Sequence, residues 1–135
     1  MRQKSLIIAF LIISLLINQG SCPFEPSLLS FDIDWTDQGF QEIDTTGYIL
    51  QGITSGGVYT HYGVAACNPH FGELAVIYTL DGHYLGTFEV IDTGSNSKLV
   101  SGESIDVWMP NMEVAKAWMS ITRGRVYCKF IAGKG

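Results

Sequence analysis

Asp92 and Asp106 are the two side chains whose placement could do chemistry. Asp92 closes one apolar-rich run, FEVIDTG, and Asp106 lies early in the next, ESIDVWM. The connection between them, Thr93 to Glu103, is polar and carries Gly94 and Gly102. Two carboxylates that flank one loop can meet at the open end of a sheet, with a substrate lying across them. Proximity of like charges, or partial burial, raises the pKa of one carboxyl and keeps it protonated near neutral pH. A protonated carboxyl can act as a general acid toward a departing glycosidic oxygen. The other reading is purely structural: Asp-Thr-Gly is an ordinary turn, and an aspartate after a strand commonly accepts hydrogen bonds from the next backbone N–H groups. Composition and spacing do not choose between the two.

Other reactive side chains are sparse. His61, His70 and His83 form no HExxH pattern and sit among turn residues, so no metal site or cofactor is expected. Cys67 and Cys128 have no zinc-ligand spacing. In an exported protein they could form a disulfide, and a pair of buried thiols is the alternative. Cys22 would then be lipidated or free.

The elements that must position the aspartates read as β-structure. Short runs rich in Val, Ile, Tyr, Phe and Thr are broken by Gly and Asp turns. Candidate strands are GYILQGI and GGVYTHYGVAA, with Gly56-Gly57 as the turn between them, then ELAVIYTL, YLGTFEVID, SIDVWM and GRVYCKFIA. Asp81-Gly82 is a hairpin turn signal between the third and fourth. One helix is expected after Pro110-Asn111, with Glu113 near its positive end and Val114, Ala115, Trp118 and Met119 on one apolar face. The pattern predicts a mainly β protein, a small barrel or closed sheet with one short helix over an opening.

The chain has 135 residues, room for one domain. Arg2 and Lys4 precede an apolar run from Leu6 to Ile17, and residues 18–21 are polar or small. This is the anatomy of a signal peptide over residues 1–21, and the run, about 12 residues, falls short of the roughly 20 that span a bilayer. An uncleaved membrane anchor is the alternative. Residues 22–47 read as an acidic leader packing on the domain through Phe24, Phe31, Trp35 and Phe40, with the domain itself over 48–135. Losing Arg2 and Lys4 with the signal peptide takes the net charge from −5 to about −7. Such a surface repels nucleic acid and anionic lipid, so neither is an expected partner.

VIDTGSNSKLV resembles the active-site loop of aspartic proteases, which need two such loops facing each other. This chain has one, so it would have to pair with a second copy. The 43 residues after Asp92 hold a helix rather than a flap-like hairpin. The ordered set AACNP (65–69), GELAVIYT (72–79), VIDTG (90–94), SGESIDVW (101–108), EVAKAW (113–118) and GRVYCKFI (124–131) more closely resembles the 3D domain, named for three aspartates. That domain belongs to the double-psi β-barrel group and is shared with membrane-bound lytic transglycosylase A and similar to rare-lipoprotein-A barrels.

The resemblance implies a six-stranded double-psi β-barrel that is exported to the periplasm or cell envelope and carries no cofactor. It also implies a lytic transglycosylase acting on peptidoglycan glycan strands and leaving 1,6-anhydromuramyl ends. Asp106 matches the acid and base, and Asp92 the aspartate that supports the site. Asn68 falls where the family has its first aspartate, and Ser95 replaces the family's second glycine. Asn68, Thr93, Gly94 and Lys98 are the implied substrate contacts, with Tyr62, Trp108 and Tyr59 as stacking surfaces. A non-catalytic peptidoglycan-binding or structural envelope barrel is the alternative function.

Overall fold

The computed structural model describes residues 34–133. Residues 1–21, which read as a signal peptide, and Cys22, Phe24 and Phe31 lie outside the described residues. Six strands close into a barrel: β1 (Gln41–Tyr48), β2 (Val64–Ala66), β3 (Leu74–Thr79), β4 (Tyr84–Asp92), β5 (Ser104–Trp108) and β6 (Arg125–Ile131). Around the barrel the order is β1-β5-β2-β4-β3-β6, with β6 returning to β1. β1 runs parallel to β5 and β2 parallel to β4, and the other four seams are antiparallel. A closed sheet leaves no unpaired edge.

Alternation along the strands builds the interior. Ile43 and Thr45 of β1, Phe88 and Val90 of β4, Ile105 and Val107 of β5, and Val126 and Cys128 of β6 are all buried. Residues between them, such as Asp44, Thr46 and Asp106, stand on the outer wall. The helix expected after Pro110-Asn111 is present as Met112–Thr122, with Asn111 Oδ1 accepting from the Val114 N–H at 2.9 Å. Trp118 turns into the barrel, where its ring meets Phe88 edge-on at 5.7 Å and its indole N–H donates to Thr45 Oγ1 at 3.0 Å.

Several local expectations change. The barrel begins at Gln41, so most of β1 comes from the stretch 22–47 that reads as a leader. The strand was hidden by its composition: EIDTTGY alternates, but its outward positions are acidic or hydroxylic. The two strands expected over 47–66 shrink to the end of β1, a single Ile53–Tyr59 bridge and β2. The loop Thr93–Glu103 contains a second short helix, Ser97–Ser101, capped by Asn96 accepting from the Lys98 N–H at 2.8 Å. In chain order it is α1, and Met112–Thr122 is α2. Trp35 and Phe40 do anchor on the domain: Trp35 stacks on Tyr127 at 4.8 Å, and both rings pack against Tyr78. Cys67 and Cys128 are free, buried thiols rather than a disulfide. Burial pushes the Cys67 thiol up to about 11 and raises that of Cys128 as well, so neither is a reactive thiolate at neutral pH.

The Trp118 indole N–H has one hydrogen to give and gives it to Thr45 at a buried site. Thr45→Val keeps the shape and removes the acceptor. It is expected to cost about 1–3 kcal/mol, the penalty of a buried donor left unpaired. Urea denaturation would show it as a lower midpoint with an unchanged slope, and an unaltered midpoint would contradict this account.

Candidate functional site

The two aspartates come together on the outer wall through register. Thr46 of β1 pairs with Asp106 of β5, Asp106 with Ala66 of β2, and Ala66 with Asp92 of β4. The four residues form one row across four adjacent strands. Asp92 and Asp106 therefore lie two strand spacings apart, about 10 Å between Cα atoms, with the small Ala66 side chain between them. Regular alternation would not give this row. Val90 is buried opposite Ala65, so a regular strand would next place Ile91 opposite Ala66 and turn Asp92 inward. A one-residue register shift between Ala65 and Ala66 brings Asp92 opposite Ala66 instead. Such a bulge re-aims a side chain and is uncommon between parallel strands.

The bulge is held by residues 49–60, a strap that leaves the end of β1 and reaches the end of β4. The Gly56 N–H donates to Ile91 O at 2.9 Å. A Cβ on Gly56 would lie 3.1 Å from that same oxygen, so glycine permits the approach. The strap is tied internally by Thr54, whose N–H and Oγ1 both donate to Val58 O at 2.8 Å. Its first turn is pinned by the Trp108 indole N–H, which donates to Leu50 O at 3.0 Å.

Asp92 is surrounded by donors. Tyr48 Oη donates to Oδ2 at 2.7 Å, and the Ser55 and Thr93 N–H groups donate to Oδ1 at 3.1 and 3.0 Å. Ser55 Oγ lies 3.4 Å from Oδ1 and 2.6 Å from the Thr93 hydroxyl. The Tyr48 hydroxyl is strongly raised, first by its own burial and then by Asp92, so it remains a donor.

Asp106 has a different setting. It accepts one hydrogen bond, from Thr46 Oγ1 at 2.8 Å. Burial raises its pKa, the Thr46 bond opposes that, and the Asp92 charge adds to the rise. Neither arginine near the end of the chain pairs with it: Arg125 is engaged with Glu42 at 2.8 Å and with Asp44. One carboxylate is thus clasped by donors, while the other is half-buried and biased toward holding its proton. The site is open to solvent, since Thr46, Ser55 and Thr93 are all exposed.

The remaining sequence-predicted residues separate into groups. Thr93 and Gly94 follow Asp92 at the site. Asn68 is beside them, but its side chain is engaged with the Gly94 backbone, as Nδ2 donor to Gly94 O at 2.9 Å and Oδ1 acceptor from the Gly94 N–H at 3.0 Å. Lys98 points elsewhere, pairing with Asp44 at 2.6 Å, and with Arg125 it lowers the Asp44 carboxyl pKa. Trp108 is buried beneath the strap, and Tyr62 packs its ring on Phe88 at 5.9 Å with its hydroxyl pushed up to about 12 by burial. Both are packing residues rather than open stacking surfaces, whereas Tyr59 is exposed on the strap.

No family model, curated protein or solved structure matches the chain. Thr46, Tyr48 and Ser55 were not legible as site residues. Thr46 and Tyr48 depend on β1 pairing in parallel with β5, which nothing local signals. Ser55 depends on a loop crossing the barrel wall. Among the described residues, no three His, Cys, Asp or Glu side chains are grouped to hold a metal ion. His70 instead stacks on Phe130 and pairs with Glu73.

A carboxyl with a raised folded-state pKa favours the folded state while protonated, and that contribution is lost as pH rises through the folded pKa. Asp106→Asn keeps an acceptor for Thr46 and removes the buried charge. Its melting temperature is expected to exceed the parent's at pH 7, with the gap narrowing as pH falls toward about 4. Calorimetry across that range checks this, and a gap independent of pH would exclude a perturbed Asp106.

Proposed function

We propose that this protein is a peptidoglycan-cleaving lytic transglycosylase in which Asp106 serves alone as acid and base. The observation that carries this is the division of labour between two neighbouring carboxylates. Asp106 is half-buried with a raised pKa, and Asp92, two strand spacings along the same row, is clasped by donors. The closed six-stranded barrel, with its parallel β1–β5 and β2–β4 seams, is compatible with the double-psi architecture of the 3D domain that the sequence resembles. The open position of the row suits a polymer strand laid across the surface.

In this reading protonated Asp106 donates to the glycosidic oxygen between N-acetylmuramic acid and N-acetylglucosamine as the C1–O bond breaks. The resulting carboxylate then takes the proton from the muramyl C6 hydroxyl as that oxygen attacks C1. The bond formed closes the 1,6-anhydro ring, and Asp106 ends protonated for the next cycle. No water attacks, so a second carboxylate acting as base or nucleophile is not required. The negative charge of Asp92 supports the scheme by favouring the protonated acid and by steadying positive charge as it develops at C1. Export follows from the reading of residues 1–21 as a signal peptide, which would deliver the barrel to the cell envelope.

Incubation with purified sacculi, followed by mass spectrometry, tests the proposal. Anhydromuramyl products are expected, and Asp106→Asn should reduce their rate by roughly 10²–10⁴-fold, the usual contribution of a general acid. The rate should also fall as pH rises through the folded pKa of Asp106, because the acid must begin protonated. Sedimentation with sacculi without product, unchanged in Asp106→Asn, would instead identify a non-catalytic wall-binding barrel.

A further inference from the structure

We infer that Asn68 is a positioning residue that sets Asp92 through Gly94, and that this position requires an amide rather than an acid. The inference rests on the reading of Asp92 as the anionic neighbour of the acid. Asn68 opens a turn of 3-10 helix, Asn68–His70, directly after buried Cys67 at the end of β2. From there its side chain meets Gly94 at both backbone groups at once, giving a proton to the carbonyl and accepting one from the N–H. This two-point clasp fixes the peptide two residues beyond Asp92. The intervening Thr93 N–H is one of the donors that hold Asp92 Oδ1. Orientation is thereby passed from the end of β2 through Gly94 and Thr93 to the carboxylate.

The chemistry of the clasp is selective. An amide presents a donor and an acceptor on adjacent atoms, whereas an ionised carboxylate presents acceptors only. Aspartate at this position would keep the bond from the Gly94 N–H and face the Gly94 carbonyl with a second oxygen. Protonation would restore the missing donor. Packing is close around the clasp, since a Cβ on Gly94 would lie 2.6 Å from Leu99 Cδ1 and one on Gly102 would lie 3.2 Å from Pro69 Cγ. The departure from a three-aspartate pattern at Asn68 is therefore a working structural choice and not a missing charge.

The test compares Asn68→Asp, Asn68→Ala and Asn68→Ser with the parent chain by amide NMR over pH 7 to 3 and by sacculus digestion at matched pH. In Asn68→Asp the Thr93 and Gly94 amide signals should be displaced at pH 7 and return to the parent positions on acidification. Its digestion rate should be lower by about tenfold at pH 7, the equivalent of one hydrogen bond, and recover in parallel with the signals. Asn68→Ala should be displaced at every pH, and Asn68→Ser, which keeps a single donor or acceptor, should lie between. Asn68→Asp signals that match the parent at pH 7, or a displacement that acid does not reverse, would overturn the inference. Should the parent leave sacculi intact, the proposed function fails while the amide signals still decide the role of Asn68.

Discussion

The site depends on one extra residue in β4. Without the shift at Ile91, Asp92 would follow Val90 into the barrel and bring an acid to an apolar interior. With it, Asp92 joins Thr46, Asp106 and Ala66 on one external row. A bulge leaves backbone groups without ladder partners, and the strap answers this through the Gly56 N–H on Ile91 O. The same strap then contributes Ser55 to Asp92. The element that stabilises the irregularity is also the element that completes the site, so the two cannot be altered independently.

Barrel closure gives that row its rigidity. Each of the four strands that carry it is paired on both sides, and β1 is paired with both β5 and β6. Side chains on such strands hold their spacing better than side chains on loops. Trp118 closes one end of the barrel from α2, and its bond to Thr45 ties that closure to β1, the strand that carries Thr46 and Tyr48. Core and site are therefore joined through successive residues of a single strand: Thr45 faces inward to the helix, and Thr46 faces outward to Asp106.

Much of the fold was legible in the sequence because the apolar residues that build the barrel occupy alternate positions. ELAVIYTL, YLGTFEVID, SIDVWM and GRVYCKFIA fall within a residue or two of β3 to β6, and the cap at Asn111 marks α2. The failures share one physical origin. β1 buries Ile43 and Thr45 while displaying Asp44 and Thr46, which lowers its apolar signal below that of a strand. Val58 to Thr60 has strand composition but serves in a strap, where Val58 and Tyr59 are exposed. Asp92 and Asp106 were identifiable from their position at the two ends of a loop. Thr46, Tyr48 and Ser55 were not, because their contacts span between 37 and 60 residues of sequence.

The two aspartates illustrate how one surface can give like side chains unlike properties. Asp92 meets three donors at 2.7–3.1 Å, while Asp106 meets one and loses much of its water to the surrounding wall. Burial is the first cause of the raised Asp106 pKa, its single bond from Thr46 opposes the rise, and the Asp92 charge adds to it. Crowding the acids together would couple their titrations into shared macroscopic steps. Separation by one intervening strand, with the small Ala66 between them and the Tyr48 side chain reaching over from β1 to Asp92, still lets the Asp92 charge add to the rise of the Asp106 pKa. A larger residue at Ala66 would fill that interval, so the smallness of this buried side chain is as much a part of the site as the two charges it separates.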